Sequence, residues 1–183
     1  MGMNEILKLT QAITERQGVI LILTKAKEQR RKTDLIYHLI VKGHLLVIAA
    51  DEWLPGFALP QIIRRHGSRV KEVAKRLRTV CPTTHLRLLD SLSTISPKGE
   101  PMLVLDFLHP FYDSKVNFRL RFQVLRQCCN HLKRIATQRP ILIMTQEMSG
   151  QDYEQFIPLL HSIAQKILYL EPESEAVLQD VLF

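Results

Sequence analysis

The chain has 183 residues, 46% of them hydrophobic and 23% charged, enough for one domain with a sizeable core. No stretch approaches the ~18 to 20 unbroken apolar residues that a membrane span needs, which argues against a membrane protein. Lysine and arginine number 25 against 18 aspartates and glutamates, a formal net charge of +7 that favours polyanionic partners, nucleic acid before a membrane surface.

In chain order, residues 4–17 read as an amphipathic helix with Ile6, Leu9 and Ile13 on one side. The start lacks the basic-then-apolar build of a signal peptide. Ile6 stands where a myristoylation signal needs Ser or Thr. Val19 to Thr24 is a β-branched apolar run suited to a central parallel strand. A helix is expected from about Lys32 to Lys42, stopped by Gly43, and "LLVIAA" (45–50) is the next buried strand. Two helical pieces, near 57–66 and 68–79, follow the break "DEWLPG". "LRLLD" (86–90) reads as a short strand before the loop "STISPKGEP".

"MLVLD" (102–106) is again continuous and apolar. A long helix is expected over about 118–137, then the strand "ILIMT" (141–145), a helix over 151–165 and the strand "ILYL" (167–170). The tail "AVLQDVLF" alternates as an edge strand does. Apolar strands alternating with helices predict a three-layer α/β fold on a mainly parallel sheet. We read one domain over 1–183, with an N-terminal helix in 1–17, the core in 18–170 and an edge strand in 171–183.

Ligands of open parallel sheets bind beyond the carboxyl ends of the strands, which singles out "KAKEQRRKTD" (25–34), between the first strand and its helix. Laid on the phosphate-loop pattern, this segment puts Ala26 and Arg31 at the two glycine positions, with Lys32 and Thr33 in register. Lysine at that place reaches terminal phosphates, and the threonine hydroxyl holds magnesium. "MLVLD" has the form of a strand ending in a magnesium-shell acid, Asp106, although a buried strand with an ordinary turn aspartate looks the same. "ILIMTQ" ends in the polar pair Thr145 and Gln146.

In this order and spacing, these elements resemble the RecA-like family of P-loop NTPases, in particular the eukaryotic and archaeal recombinases and their paralogs. The resemblance covers roughly 18–170 as an architecture and a handful of positions as motif. It implies Lys32 and Thr33 as phosphate and magnesium residues, Asp106 as the Walker B acid and Gln146 as the sensor. It places the water-activating acid at Asp51 or Glu52. The departures are the two lost glycines, which elsewhere let backbone N–H groups wrap phosphate without an obstructing Cβ, and the near absence of a long DNA-binding loop after the sensor strand. The expectation is a RecA-like core with a degenerate Walker A motif, weak ATP and magnesium binding, little or no ATPase activity, and an accessory role in DNA recombination or repair. A working ATPase with an unusual loop and an assembly subunit unrelated to DNA are the alternatives. A cytoplasmic or, in a eukaryote, nuclear protein is expected, assembling as a homodimer or with a related RecA-like subunit.

The most basic stretch is "QIIRRHGSRVKEVAKRLR" (61–78). Val70, Val73, Ala74 and Leu77 form an apolar stripe, and Lys71, Lys75 and Arg78 line another face, with Arg64, Arg65 and Arg69 just before. A solvated outer helix and a sequence-independent phosphate-contact surface explain it equally well. Arg119, Arg126 and Lys133 repeat every seventh residue on the long helix and extend the basic surface, without aromatic interleaving. Cys81, Cys128 and Cys129 have no metal-ligand spacing and read as buried or half-buried thiols. The seven histidines are scattered and read mostly as surface or helix-end residues.

Overall fold

The computed structural model describes residues 18–25, 29–50, 64, 72 and 75–170. The expected N-terminal helix (4–17), the tail strand (171–183) and most of 51–74 lie outside the described residues.

Six strands form one sheet: β1 (Gly18–Thr24), β2 (Leu45–Ala49), β3 (Leu77–Val80), β4 (Met102–Leu105), β5 (Pro140–Gln146) and β6 (Lys166–Leu170). Their order across the sheet is β3-β2-β4-β5-β1-β6, and every pairing is parallel. The described helices are α1 (Gln29–Lys42), α2 (His85–Thr94), α3 (Phe118–Ala136) and α4 (Gln151–His161), with a 3-10 turn at His109–Phe111. The fold is three-layer α/β, as the alternation of elements predicts.

The layers follow from strand alternation. Ile20 and Ile22 join Leu35, Ile36, Leu39 and Ile40 of α1 in one core, while Val19, Leu21 and Leu23 join residues of α2, α3 and α4 in the other. Right-handed crossovers that run in opposite directions along a sheet lay their helices on opposite faces. The chain steps from β1 over β5 and β4 to β2 and on to β3, then returns through β4 and β5 and over β1 to β6, which accounts for the split. With both faces covered, the central strands are apolar up to their C-terminal ends, and β1, β2 and β4 are buried at every position.

Two elements differ from the sequence reading. Residues 77–80 form a strand paired with β2 (Leu45 beside Leu77, Ile48 beside Val80), so the helix expected over 68–79 ends before Leu77. Residues 86–90 lie inside α2, whose N-cap Thr84 accepts a hydrogen bond from the Arg87 N–H at 3.2 Å. α1 also starts earlier than expected, at Gln29, and α4 ends earlier, at His161.

Arginines fasten the layers. Arg121 donates to the carbonyls of Phe111 (2.6 Å) and Val116 (3.0 Å) and to Asp152 Oδ2 (2.6 Å), tying α3 to α4 and to the turn after β4. Arg134 donates to the carbonyls of Leu92, Ser93 and Ile95, capping the C-terminal end of α2. Arg139 donates to those of Ser96, Pro97 and Lys98, and so holds the loop before β4.

Candidate functional site

The sheet order sets the C-terminal ends of β1, β5 and β4 side by side. Thr24 pairs with Gln146, and Leu105 with Met144. The ladder continues past the strands: the Glu147 N–H donates to the Thr24 carbonyl at 2.7 Å, and the Asp106 N–H to the Met144 carbonyl at 2.8 Å.

Asp106 leaves β4 with a positive φ of 53°, in the left-handed region that aspartate tolerates better than most residues. Its carbonyl accepts the His109 N–H at 2.8 Å, which closes the turn into the His109–Phe111 segment. That segment is a structural turn, and it carries Phe111 into the core.

Across the sheet end, α1 presents its first turn. Lys32 precedes Leu35 and Ile36 by three and four residues, and these precede Leu39 and Ile40 by four, so Lys32 lies on the core-facing stripe of the helix. Its Nζ reaches Asp106 Oδ2 at 2.5 Å, and the two side chains are 5% and 12% exposed. Arg31 and Thr33, on either side, are also buried, at 5% and 1%. Gln29, Arg30, Arg31 and Lys32 thus open a helix with no acidic residue in its first turn, although a helix N-terminus favours negative charge. Asp106 supplies that negative charge from another strand.

The structure therefore brings together Lys32 and Asp106, with Thr33 beside the lysine and Gln146 at the adjacent strand end. Ala26, Asp51 and Glu52 lie outside the described residues. Lys32 has the character needed for a phosphate, and Thr33 and Asp106 have oxygens suited to magnesium. Arg31, at the second glycine position, is packed inside the protein in the turn where a phosphate loop brings bare backbone to its ligand.

No family model matches this chain, and no curated protein matches its sequence.

The basic stretch 61–78 is not one helical face. Arg64 and Lys75 are helical and exposed, whereas Arg78 stands in β3 and donates to Glu100 at 2.9 Å. Arg65, Arg69 and Lys71 lie outside the described residues. On α3, Phe122 sits between Arg119 and Arg126, so an aromatic ring does accompany that arginine stripe. The i, i+3 and i+7 spacing carried this signal, which a search for adjacent aromatics passes over. Arg121 was legible in the same way, as the one arginine on the apolar stripe of Val124, Leu125, Cys128 and Leu132.

Among the described residues, no three His, Cys, Asp or Glu side chains gather as a metal set, and no helix is long and apolar enough to cross a membrane. Cys81 is exposed, contrary to the buried or half-buried reading, whereas Cys128 and Cys129 are buried. Burial raises both buried thiols, Cys129 to about 12, so neither is a nucleophile at neutral pH. His85, the first residue of α2, is a helix-end residue of the kind expected, and it is buried beside Phe111.

Proposed function

We propose that this chain is a RecA-like accessory protein of DNA recombination or repair, with a degenerate nucleotide site and sequence-independent DNA binding. The observation that carries the degenerate-site reading is at the first turn of α1: Arg31, Lys32 and Thr33 are all buried, with Lys32 bound to Asp106. A triphosphate reaching Lys32 must separate a buried ion pair. If bound, ATP-magnesium would bring its own charges, with Lys32 turning to phosphate and Asp106 and Thr33 to the metal. The DNA part rests on the net charge of +7 and on exposed arginines and lysines outside that site, Arg64 and Lys75 among them. We further propose a homodimer or a pairing with a related RecA-like subunit, not an ATP-driven filament.

A working ATPase is the second reading. It is favoured by the juxtaposition of Lys32 with Asp106 across 74 residues of sequence, which keeps the two charged groups of such a site in place. Calorimetry with ATP-magnesium, combined with DNA binding measured over a salt series, separates the two. Weak ATP binding with salt-sensitive DNA binding supports the accessory reading. Low-micromolar ATP affinity lost in Lys32→Ala supports the ATPase. DNA binding absent at low salt removes the DNA role from both.

A further inference from the structure

The outer side of α3 carries an open groove of about 350 Å³, lined by Arg119, Phe122, Gln123 and Arg126. α3 covers the sheet face opposite α1, so the groove is no part of the Lys32–Asp106 site. Both arginines are exposed, and among the described residues neither makes an ion pair. Elsewhere the protein uses its arginines as internal fasteners: Arg121, Arg134 and Arg139 each bind two or three groups of the chain itself.

The composition of α3 extends the contrast. Its sequence, FRLRFQVLRQCCNHLKRIA, holds five lysines and arginines and no aspartate or glutamate. Arg121 and Arg134 are engaged within the protein. The other three, Arg119, Arg126 and Lys133, are exposed and seven residues apart, so they form a positive stripe about 21 Å long at ~1.5 Å per residue. Gln123, Gln127 and Asn130 between them are exposed and uncharged. A stripe of this length, without acids of its own helix, meets several anions in a row, as a phosphate backbone supplies them. A single small anion would occupy only one end.

Phe122 distinguishes between kinds of backbone. Its ring packs on Phe118 at 5.8 Å and on Phe156 at 6.4 Å, which fixes it, and its remaining surface lines the groove between the two arginines. A fixed aromatic face can stack a base that is free of its neighbours, whereas in a duplex the base faces cover one another. Carboxylates of an acidic peptide match the arginines equally well. Flat rings alternate with anions along every nucleic-acid strand, however, as Phe122 alternates with the arginines here.

We infer that the outer face of α3 binds single-stranded nucleic acid, with phosphates on Arg119, Arg126 and Lys133 and one base seated in the groove against Phe122. This rests on the nucleic-acid part of the proposed function and adds to it the surface and the form of the strand.

The test is fluorescence anisotropy of the full chain with a labelled oligothymidine and with a duplex of the same length, over a salt series. Phe122→Leu should weaken single-strand binding at least fivefold, the lower end for one base stack, and leave duplex binding alone. Arg119→Gln/Arg126→Gln should flatten the single-strand salt slope by about 1.4, the share of two phosphate contacts. Both variants should keep the circular dichroism spectrum of the natural sequence. A second measurement needs no variant: oligothymidine carrying iodouracil, irradiated with the natural sequence, should cross-link to Phe122, as located by mass spectrometry. Should Phe122→Leu fail to fold, that cross-link decides. Unchanged single-strand affinity in a folded Phe122→Leu, a salt slope indifferent to the arginines, or cross-links confined to other segments would each overturn the proposal and leave the nucleic-acid reading standing. Polyglutamate that displaces the strand as well as unlabelled oligothymidine does would overturn it in favour of an acidic protein partner. No binding of either nucleic acid at low salt would remove the DNA role and this site together.

Discussion

Lys32 and Asp106 lie 74 residues apart in sequence, on a helix and after a strand that are not consecutive in the chain, and their charged atoms are 2.5 Å apart. Removing one member leaves a buried charge without its partner. Asp106→Ala should therefore cost about 3–5 kcal/mol in urea unfolding, and Lys32→Met/Asp106→Asn, which keeps a residue tolerant of the positive φ, should recover most of the loss. A double variant no more stable than Asp106→Ala alone would mean that the pair does not carry the stability of this end of the sheet.

The nucleotide prediction concerns Arg31. With its side chain packed in the first turn of α1, ATP-magnesium should bind no more tightly than about 100 µM, or ~5.5 kcal/mol. Ala26→Gly/Arg31→Gly should raise affinity only if Lys32, Thr33 and Asp106 still form a site. Low-micromolar binding by the natural sequence would show that arginine is compatible with a phosphate loop here.

DNA affinity, if present, should fall steeply with salt and be indifferent to sequence. Arg64→Glu/Arg65→Glu/Arg69→Glu should flatten the slope of log K against log salt by about 2 to 3, since each phosphate contact contributes roughly 0.7 to 0.9. Arg78→Glu should have the smaller effect, because that arginine is already engaged by Glu100. An unchanged slope in the triple variant would assign 61–78 to ordinary solvated surface.

Thiol chemistry gives an independent check on the core. One cysteine, Cys81, should react promptly with a disulfide reagent at neutral pH, and Cys81→Ser should abolish that phase. Cys128 and Cys129, buried and with their thiols raised by burial, should react only at the rate of unfolding. Three fast thiols would contradict the packing of α3.

The loop before β4 offers a backbone test. Gly99 has φ +146°, and a Cβ there would lie 2.4 Å from Arg139 Nη2, whose guanidinium is fixed by three carbonyls. Gly99→Ala should cost about 1–3 kcal/mol and loosen amide protection around residues 95–101. A neutral substitution would show that Arg139 can give way.

The sequence by itself determined the architecture. The runs at 19–23, 45–50, 102–105 and 141–144 are apolar at every position because both faces of a parallel sheet are covered, and few other structures demand that pattern. The helical stripe also places Lys32 on the inward face of α1 before any partner is known. Where local pattern was ambiguous, tertiary pairing decided. Leu77–Val80 continues a helical apolar stripe in sequence, yet it is a half-exposed edge strand defined by its bonds to β2. Residues 86–90 are too short a run to separate strand from helix, and the deciding signal, the cap at Thr84, lies outside them. Which acid Lys32 meets was also beyond the linear pattern. Asp106 reaches it because the sheet order places β4, β5 and β1 side by side, and strand order is set by the packing of the whole chain.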